Sequence, residues 1–205
     1  MNGQRHILSD LEETFKKAAA ALRDAGIEFM VGGALASWVR GGPEASKDLD
    51  FMIRAEDAER ALLALENAGM RTAHPPEGWL LKAWDGEFLI DLIFNPIDTP
   101  VTDEVLARAD EHNVFAMNVK VMAAEDVLAT KLLALNEHSL DFEQLLQIAR
   151  ALREQVDWGQ VRARTEHSPY ARGFFALLRE LEIVPAHEDV EPAAKRIRVV
   201  PGSAL

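Results

Sequence analysis

Apolar residues at helical spacing alternate along the chain with short apolar runs. Leu11, Phe15, Ala18, Ala19 and Leu22 recur every three or four positions and predict an amphipathic helix. Ser9-Asp10-Leu11-Glu12 has the form of a capping box at its start, and Gly26 stands where it would end. Ile27 to Val31 is an unbroken apolar run, the mark of a short buried strand. Gly32-Gly33 then reads as a strand-to-helix turn, followed by about two helical turns over Ala34 to Arg40. Asp48 to Ile53 predicts a second strand. Arg54 to Ala68 predicts a helix with Ala58, Ala61, Leu62 and Leu65 on one face, closed by Gly69. Met70 to Ala73 fits a short strand. Trp79 to Trp84 and Glu87 to Phe94 fit a hairpin turning at Asp85-Gly86, and Asn95-Pro96 ends its second strand. Thr102 to Asp110 suggests a short helix, and Asn113 to Met122 one more strand.

From Ala124 the spacing is helical throughout: Ala124 to Asn136, Leu140 to Arg153, Trp158 to Thr165 and Pro169 to Glu182. The tail from Pro185 is rich in Pro, Glu and Lys/Arg and lacks periodicity, so it is expected to be loosely ordered. The fold class is therefore α/β (α+β): a small mixed sheet flanked by helices over 1–122, a helical subdomain over 123–184, and a tail over 185–205.

With 205 residues and 48% hydrophobic content, the chain can bury a full core. Acidic residues outnumber basic ones 34 to 22, a net charge of -12, which disfavours binding along an extended nucleic acid. The arginines near the C-terminus are interleaved with acids and read as a mixed solvated face. There is no cysteine, which excludes disulfides and thiolate chemistry. No run reaches membrane-spanning length, and the polar N-terminus lacks the plan of a signal peptide, so a cytoplasmic protein without membrane association is expected. The six histidines show no metal-ligand spacing. Trp38, Trp79, Trp84 and Trp158 read as core or cleft wall.

Three features stand out against that background. Asp48 and Asp50 flank Leu49 on a predicted strand and so share one face. Asp91 is the lone charge in the apolar run Phe88 to Phe94. It either pairs with a basic side chain or backbone donor, or sits beside Asp48 and Asp50 on a neighbouring strand. In the second case the three carboxylates form a hard oxygen site suited to Mg²⁺, with room for two ions in an in-line phosphoryl transfer. Gly32 and Gly33 either form an ordinary turn or let an anionic ligand approach the backbone at a helix start. Lys131 lies on the same helix face as Val127, Leu128 and Leu135. It either snorkels to water or is held beneath a nucleotide, with Asp141 placed to orient it.

The order Gly-Gly, short helix, Asp-x-Asp, later strand Asp, then Glu-Asp-x-x-x-x-Lys resembles the DNA polymerase β-like nucleotidyltransferases over about Gly26 to Arg153. Within that superfamily it is most similar to small bacterial abortive-infection and toxin–antitoxin enzymes. The resemblance implies transfer of an NMP from an NTP to an acceptor hydroxyl, with Mg²⁺ as cofactor. The acceptor is left open between a tRNA end, a protein partner and a small molecule. It casts Asp48, Asp50 and Asp91 as metal-binding and catalytic, and Gly32, Gly33, Ser46, Lys47 and Lys131 as nucleotide-binding. The chain departs from the superfamily pattern in two places. Gly33 replaces a common serine, and Glu44-Ala45-Ser46 replaces a common Arg-x-Thr. Ser46 can supply the hydroxyl. Glu44 cannot supply the cation, a role that would pass to Arg40 or Lys47. The alternative is a non-catalytic relative serving as a nucleotide sensor or a toxin–antitoxin partner-binding module.

Overall fold

A computed structural model describes residues 2–44 and 48–184 of the chain, with side chains from Ser9 onward except that of Asp98. Ser46, Lys47 and the tail from 185 lie outside the described residues. The described chain is a mixed α/β structure of seven strands and eight α-helices. Helix α1 (Asn2–Asp24) leads into β1 (Phe29–Val31), α2 (Gly33–Val39) and β2 (Leu49–Ile53). Then follow α3 (Ala58–Asn67), β3 (Arg71–Ala73), β4 (Leu80–Asp85), β5 (Phe88–Ile93) and α4 (Asp103–Ala107). A second hairpin, β6 (Asp110–Val114) and β7 (Met117–Val121), precedes four helices: α5 (Ala124–Leu133), α6 (Phe142–Leu152), α7 (Trp158–Thr165) and α8 (Pro169–Glu180).

The strands form one sheet in the order β3-β4-β5-β2-β1-β7-β6. The β2–β5 and β1–β7 pairs are parallel and the others antiparallel. Register fixes which residues share a face. Phe51 faces α1, where its ring stacks on Phe15 with centroids 5.7 Å apart. Phe15, Ala18, Ala19 and Leu22 of α1, Ala61 and Leu65 of α3, and Ile90 and Leu92 of β5 complete that buried layer. Asp50 and Met52 point to the opposite face by alternation along β2, beside Asp91 and Ile93. A second apolar cluster joins Leu128 and Leu132 of α5 to Leu145, Ile148, Phe174 and Leu178 of α6 and α8. Val127, one residue before Leu128, belongs instead to the sheet's core, so α5 contributes to both clusters.

Glycine ends α1 and α3 as the sequence predicts. Gly26 and Gly69 adopt φ of +67° and +85°. The amides that follow reach back across the last turn, Ile27 N to Leu22 O at 3.0 Å and Met70 N to Leu65 O at 3.1 Å. These are Schellman closures, which satisfy otherwise unpaired helix carbonyls. Asp141, Asp157 and Ser168 cap α6, α7 and α8 through their side-chain oxygens.

Three expectations are corrected. Helix α1 begins at Asn2 and runs through Ser9, so Ser9-Asp10-Leu11-Glu12 is interior helix, not a capping box. Helix α5 stops at Leu133, before Asn136. The stretch expected to be one strand from Asn113 is a hairpin that already pairs at Asp110. Its two-residue turn is Phe115-Ala116, both at left-handed φ of +49° and +62°. Such a turn is normally marked by Asn or Gly, and neither is present.

Candidate active site

The parallel register of β2 and β5 sets Asp50 opposite Asp91. Both lie on the sheet face turned away from α1. Asp48 precedes β2 by one residue and is exposed. Burial and repulsion from Asp91 and Asp48 raise the Asp50 carboxyl from 3.8 to about 6, with Lys131 and Lys82 opposing the rise. Asp91 is also raised, by burial first, while Lys82 holds it down. Lys82 is the cross-strand neighbour of Asp91 on β4, and its Nζ donates to Asp91 Oδ1 at 2.8 Å. Asp91 is thus paired with a lysine, the first alternative, and is also set in register beside Asp50. Lys82 itself carried no sequence signal, because a lysine between Leu81 and Ala83 reads as an ordinary solvated strand position.

The glycine pair packs directly against the first carboxylate. The Gly32 amide donates to the Asp50 carbonyl at 2.8 Å. Gly33 has φ +56°, and a Cβ there would lie 1.6 Å from Asp50 Oδ2. A Cβ on Gly32 would meet the Met52 side chain at 2.9 Å. The departure at Gly33 therefore has a steric cause: in this chain the Asp50 carboxylate occupies the space a serine side chain would need.

Lys131 is partly buried on α5, and burial lowers its ammonium below the usual lysine range, opposed by the charges of Asp50 and Asp141. Its Nζ donates to Gln144 Oε1 at 3.0 Å. Asp141 caps α6 by accepting from the Gln144 amide at 3.1 Å, and acts on Lys131 through its charge. Arg40, one candidate to replace the missing arginine, is committed elsewhere. Its guanidinium donates to the carbonyls of Met122 and Val121, at 2.7 and 3.0 Å, and pairs with Asp110. Glu44 is exposed.

Gly33, Asp50 and Lys131 line one cavity of about 480 Å³ between the sheet and α5. Its remaining wall is mostly apolar, with Met52, Trp79, Ile93, Ile97 and Met122 among its residues and Asn95 and Thr130 as polar exceptions. That size is ordinary for a small-molecule site.

The carboxylate set fits a divalent cation in its donor chemistry: hard oxygens, with negative charge that two lysines only partly offset. Among the described residues no three Asp, Glu, His or Cys side chains converge closely enough to enclose an ion by themselves. An ion here would take further oxygens from water or a phosphate, as Mg²⁺ commonly does. Among the described residues no helix is long and apolar enough to cross a membrane.

Comparisons with known proteins give the family and the fold. The family model described as "Uncharacterised nucleotidyltransferase" matches residues 10–182. No protein of curated function matches the sequence. Among solved structures, the solution structure of the antibiotic-resistance factor ANT(2″)-Ia is 14% identical, with a TM-score of 0.61 over 85% of this chain and 97% of that one. A crystal structure of ANT(2″)-Ia in complex with adenylyl-2″-tobramycin is 15% identical, with a TM-score of 0.57 over 81% and 97%. An antigenic nucleotidyltransferase-like protein from Paracoccidioides brasiliensis is 14% identical, with a TM-score of 0.52 over 84% and 88%. At these identities the solved structures show a common fold. The family match spans most of the chain, and the protein belongs to this nucleotidyltransferase family, an enzyme family of the polymerase β-like superfamily.

Proposed function

We propose that this enzyme transfers an NMP from an NTP to a hydroxyl group of a small molecule, using Mg²⁺ held by Asp48 and Asp50. The observation that carries the reading is the convergence of Asp50, Gly33 and Lys131 on one cavity, with Asp91 in register beside Asp50. When bound, the metal would polarise the α-phosphate and neutralise the leaving pyrophosphate. The Gly32-Gly33 turn lets the triphosphate approach the backbone, and Lys131 offsets its charge. Ser46 and Lys47, in the loop before Asp48, are assigned to the same triphosphate. Asp91, held at Oδ1 by Lys82, accepts the acceptor's proton as its oxygen attacks the α-phosphorus and the bond to pyrophosphate breaks. Residues 1–122 would supply the carboxylates and 123–184 the lysine, in a cytoplasmic enzyme.

Two observations favour a small acceptor over an RNA end. The net charge of -12 opposes a phosphate backbone. The ANT(2″)-Ia complex holds an adenylylated small molecule, adenylyl-2″-tobramycin. The test is incubation with α-labelled NTPs, Mg²⁺ and cell extract, followed by separation of RNA, protein and small molecules. Label is expected in the small-molecule fraction with the natural chain and absent with Asp48→Ala, whose exposed position predicts an intact fold. Label in RNA or protein would overturn the acceptor class. Undiminished transfer by Asp48→Ala would overturn the mechanism.

A further inference from the structure

The cavity extends beyond the groups that hold phosphates and metal. Past Asp50 and Gly33 it is bounded by Trp79, before β4, and by Ile97, in the turn Pro96–Asp98 after β5. These two large apolar residues are exposed by 37% and 39% and stand outside the buried core.

Ile97 is also held in an unfavourable backbone. Its φ and ψ are +52° and +49°, the left-handed region, which a β-branched residue very rarely adopts. The surrounding hydrogen bonds impose this. Thr99 N donates to Pro96 O at 2.9 Å, and Val101 N to Phe94 O at 2.9 Å. Asn95 N donates to Trp79 O at 3.2 Å, so the turn and Trp79 are tied to each other. Pro96 and Pro100 bracket the segment. Strain retained in this way, at the mouth of a cavity, is a feature of ligand clamps.

We propose that Trp79 and Ile97 are the walls of a nucleobase slot, and that this slot gives the enzyme a preference for purine nucleotides. The inference rests on the nucleotide reading of the cavity, because phosphates at Gly33 and Lys131 leave the base to the apolar part. An aromatic face and a branched aliphatic side chain grip a flat ring by contact area, which is larger for a purine than for a pyrimidine. Asn95 and Thr130 are the polar side chains along this wall, so hydrogen-bond selection between adenine and guanine is weaker than selection by ring size.

Calorimetry of the full chain with ATP, GTP, CTP and UTP, each with Mg²⁺ and no acceptor, tests this. The natural chain is expected to bind ATP and GTP about five- to tenfold more tightly than CTP and UTP. Ile97→Gly is expected to weaken purine binding about tenfold, erase most of the preference, and leave the melting temperature unchanged or raised. Glycine adopts the observed φ without strain, so a purely structural isoleucine would not give this combination. Trp79→Ala should weaken purines similarly, and Trp79→Phe should restore most of the loss. Equal binding of all four nucleotides, or purine affinity untouched in Ile97→Gly, overturns the slot while leaving the phosphate and metal site standing. A lowered melting temperature in Ile97→Gly also overturns it, marking Ile97 as packing. Failure of the natural chain to bind any NTP overturns both readings.

Discussion

Two carboxylates, Asp126 fully buried and Asp50 half-buried in the cavity wall, are handled in opposite ways. Asp126, in the first turn of α5, is 1% exposed and fully answered. Arg108 grips it with two hydrogen bonds of 3.0 Å each, and Arg164 adds a third contact at 2.5 Å. The three residues tie the end of α4 to α5 and α7. Among the described residues no arginine pairs with Asp50. Asp50 shares its surroundings with Asp91 and Asp48, and its carboxyl is pushed up to about 6. A carboxylate that serves the fold is supplied with its cations from within the chain. One left short of positive charge, at the edge of a cavity, is completed from outside, and a metal-bound nucleotide is what would complete it. Under-compensation thus separates the two more clearly than burial does.

The most severe way to break the contrast is to turn Asp126 into a second Asp50. In the double variant Arg108→Met, Arg164→Met the buried carboxylate loses both cations. A loss of about 3–5 kcal/mol is expected at neutral pH. For a chain of this size the melting temperature would fall by about 10 °C. Urea unfolding at neutral pH reads the loss. Stability equal to that of the natural chain would mean that packing, not charge, holds these helices together.

The converse variant is Asp50→Asn, which removes a charge the fold tolerates poorly. A carboxyl raised from 3.8 to about 6 costs nothing below pH 4, where folded and unfolded chains are both protonated. The cost grows between pH 4 and 6 and is complete above that, corresponding to about 3 kcal/mol as an upper value. Asp50→Asn is therefore expected to be more stable than the natural chain at pH 8, equal to it at pH 4, and inactive in transfer. Mg²⁺ with NTP should narrow the gap at pH 8 by stabilising only the natural carboxylate. A variant no more stable than the natural chain at pH 8 would place Asp50 with Asp126, as a structural acid.

This contrast also marks what the sequence could reveal. Asp50 and Asp91 stood out because a charge inside an apolar strand violates the strand's own pattern, whereas Asp48, expected on the strand, precedes it and is exposed. The helices α6 to α8 were legible because their periodicity is strong and their caps are ordinary Asp and Ser residues. Asp126 stood in the sequence only as part of Glu-Asp-x-x-x-x-Lys, and its burial and pairing were not legible, since an acid in the first turn of a helix is what any exposed helix would carry. Lys82 was hidden by normal strand alternation, and Arg108 and Arg164 by their place among other exposed charges. The β6–β7 hairpin was missed because Phe115 and Ala116 adopt a turn that those residues rarely form, fixed by tertiary packing: Phe115 packs edge-on against Phe15 at 5.5 Å. Ile97 belongs to the same class, since left-handed backbone at a β-branched residue has no local signature.

The finest test of the contrast lies at Gly33, which shapes the space Asp50 occupies. In Gly33→Ala the new Cβ collides with Oδ2, and the backbone must hold alanine at φ +56°. The backbone conformation alone costs about 1–2 kcal/mol. The collision is relieved by rotating the Asp50 carboxylate, whose end is the movable part, away from the turn and toward the cavity and water. Rotation lessens its burial, the largest cause of its raised proton affinity, so the carboxyl should return toward its ordinary value. Gly33→Ala is therefore expected to weaken the pH dependence that distinguishes Asp50→Asn from the natural chain. In a double-mutant cycle the gain from Asp50→Asn at pH 8 should be smaller in the Gly33→Ala background, by about 1 kcal/mol or more. Transfer should fall in Gly33→Ala although every titrating group is still present. Strict additivity at pH 8 would mean that the glycine serves the turn alone, and that the under-compensation of Asp50 arises from its strand neighbours without help from the close approach of α2.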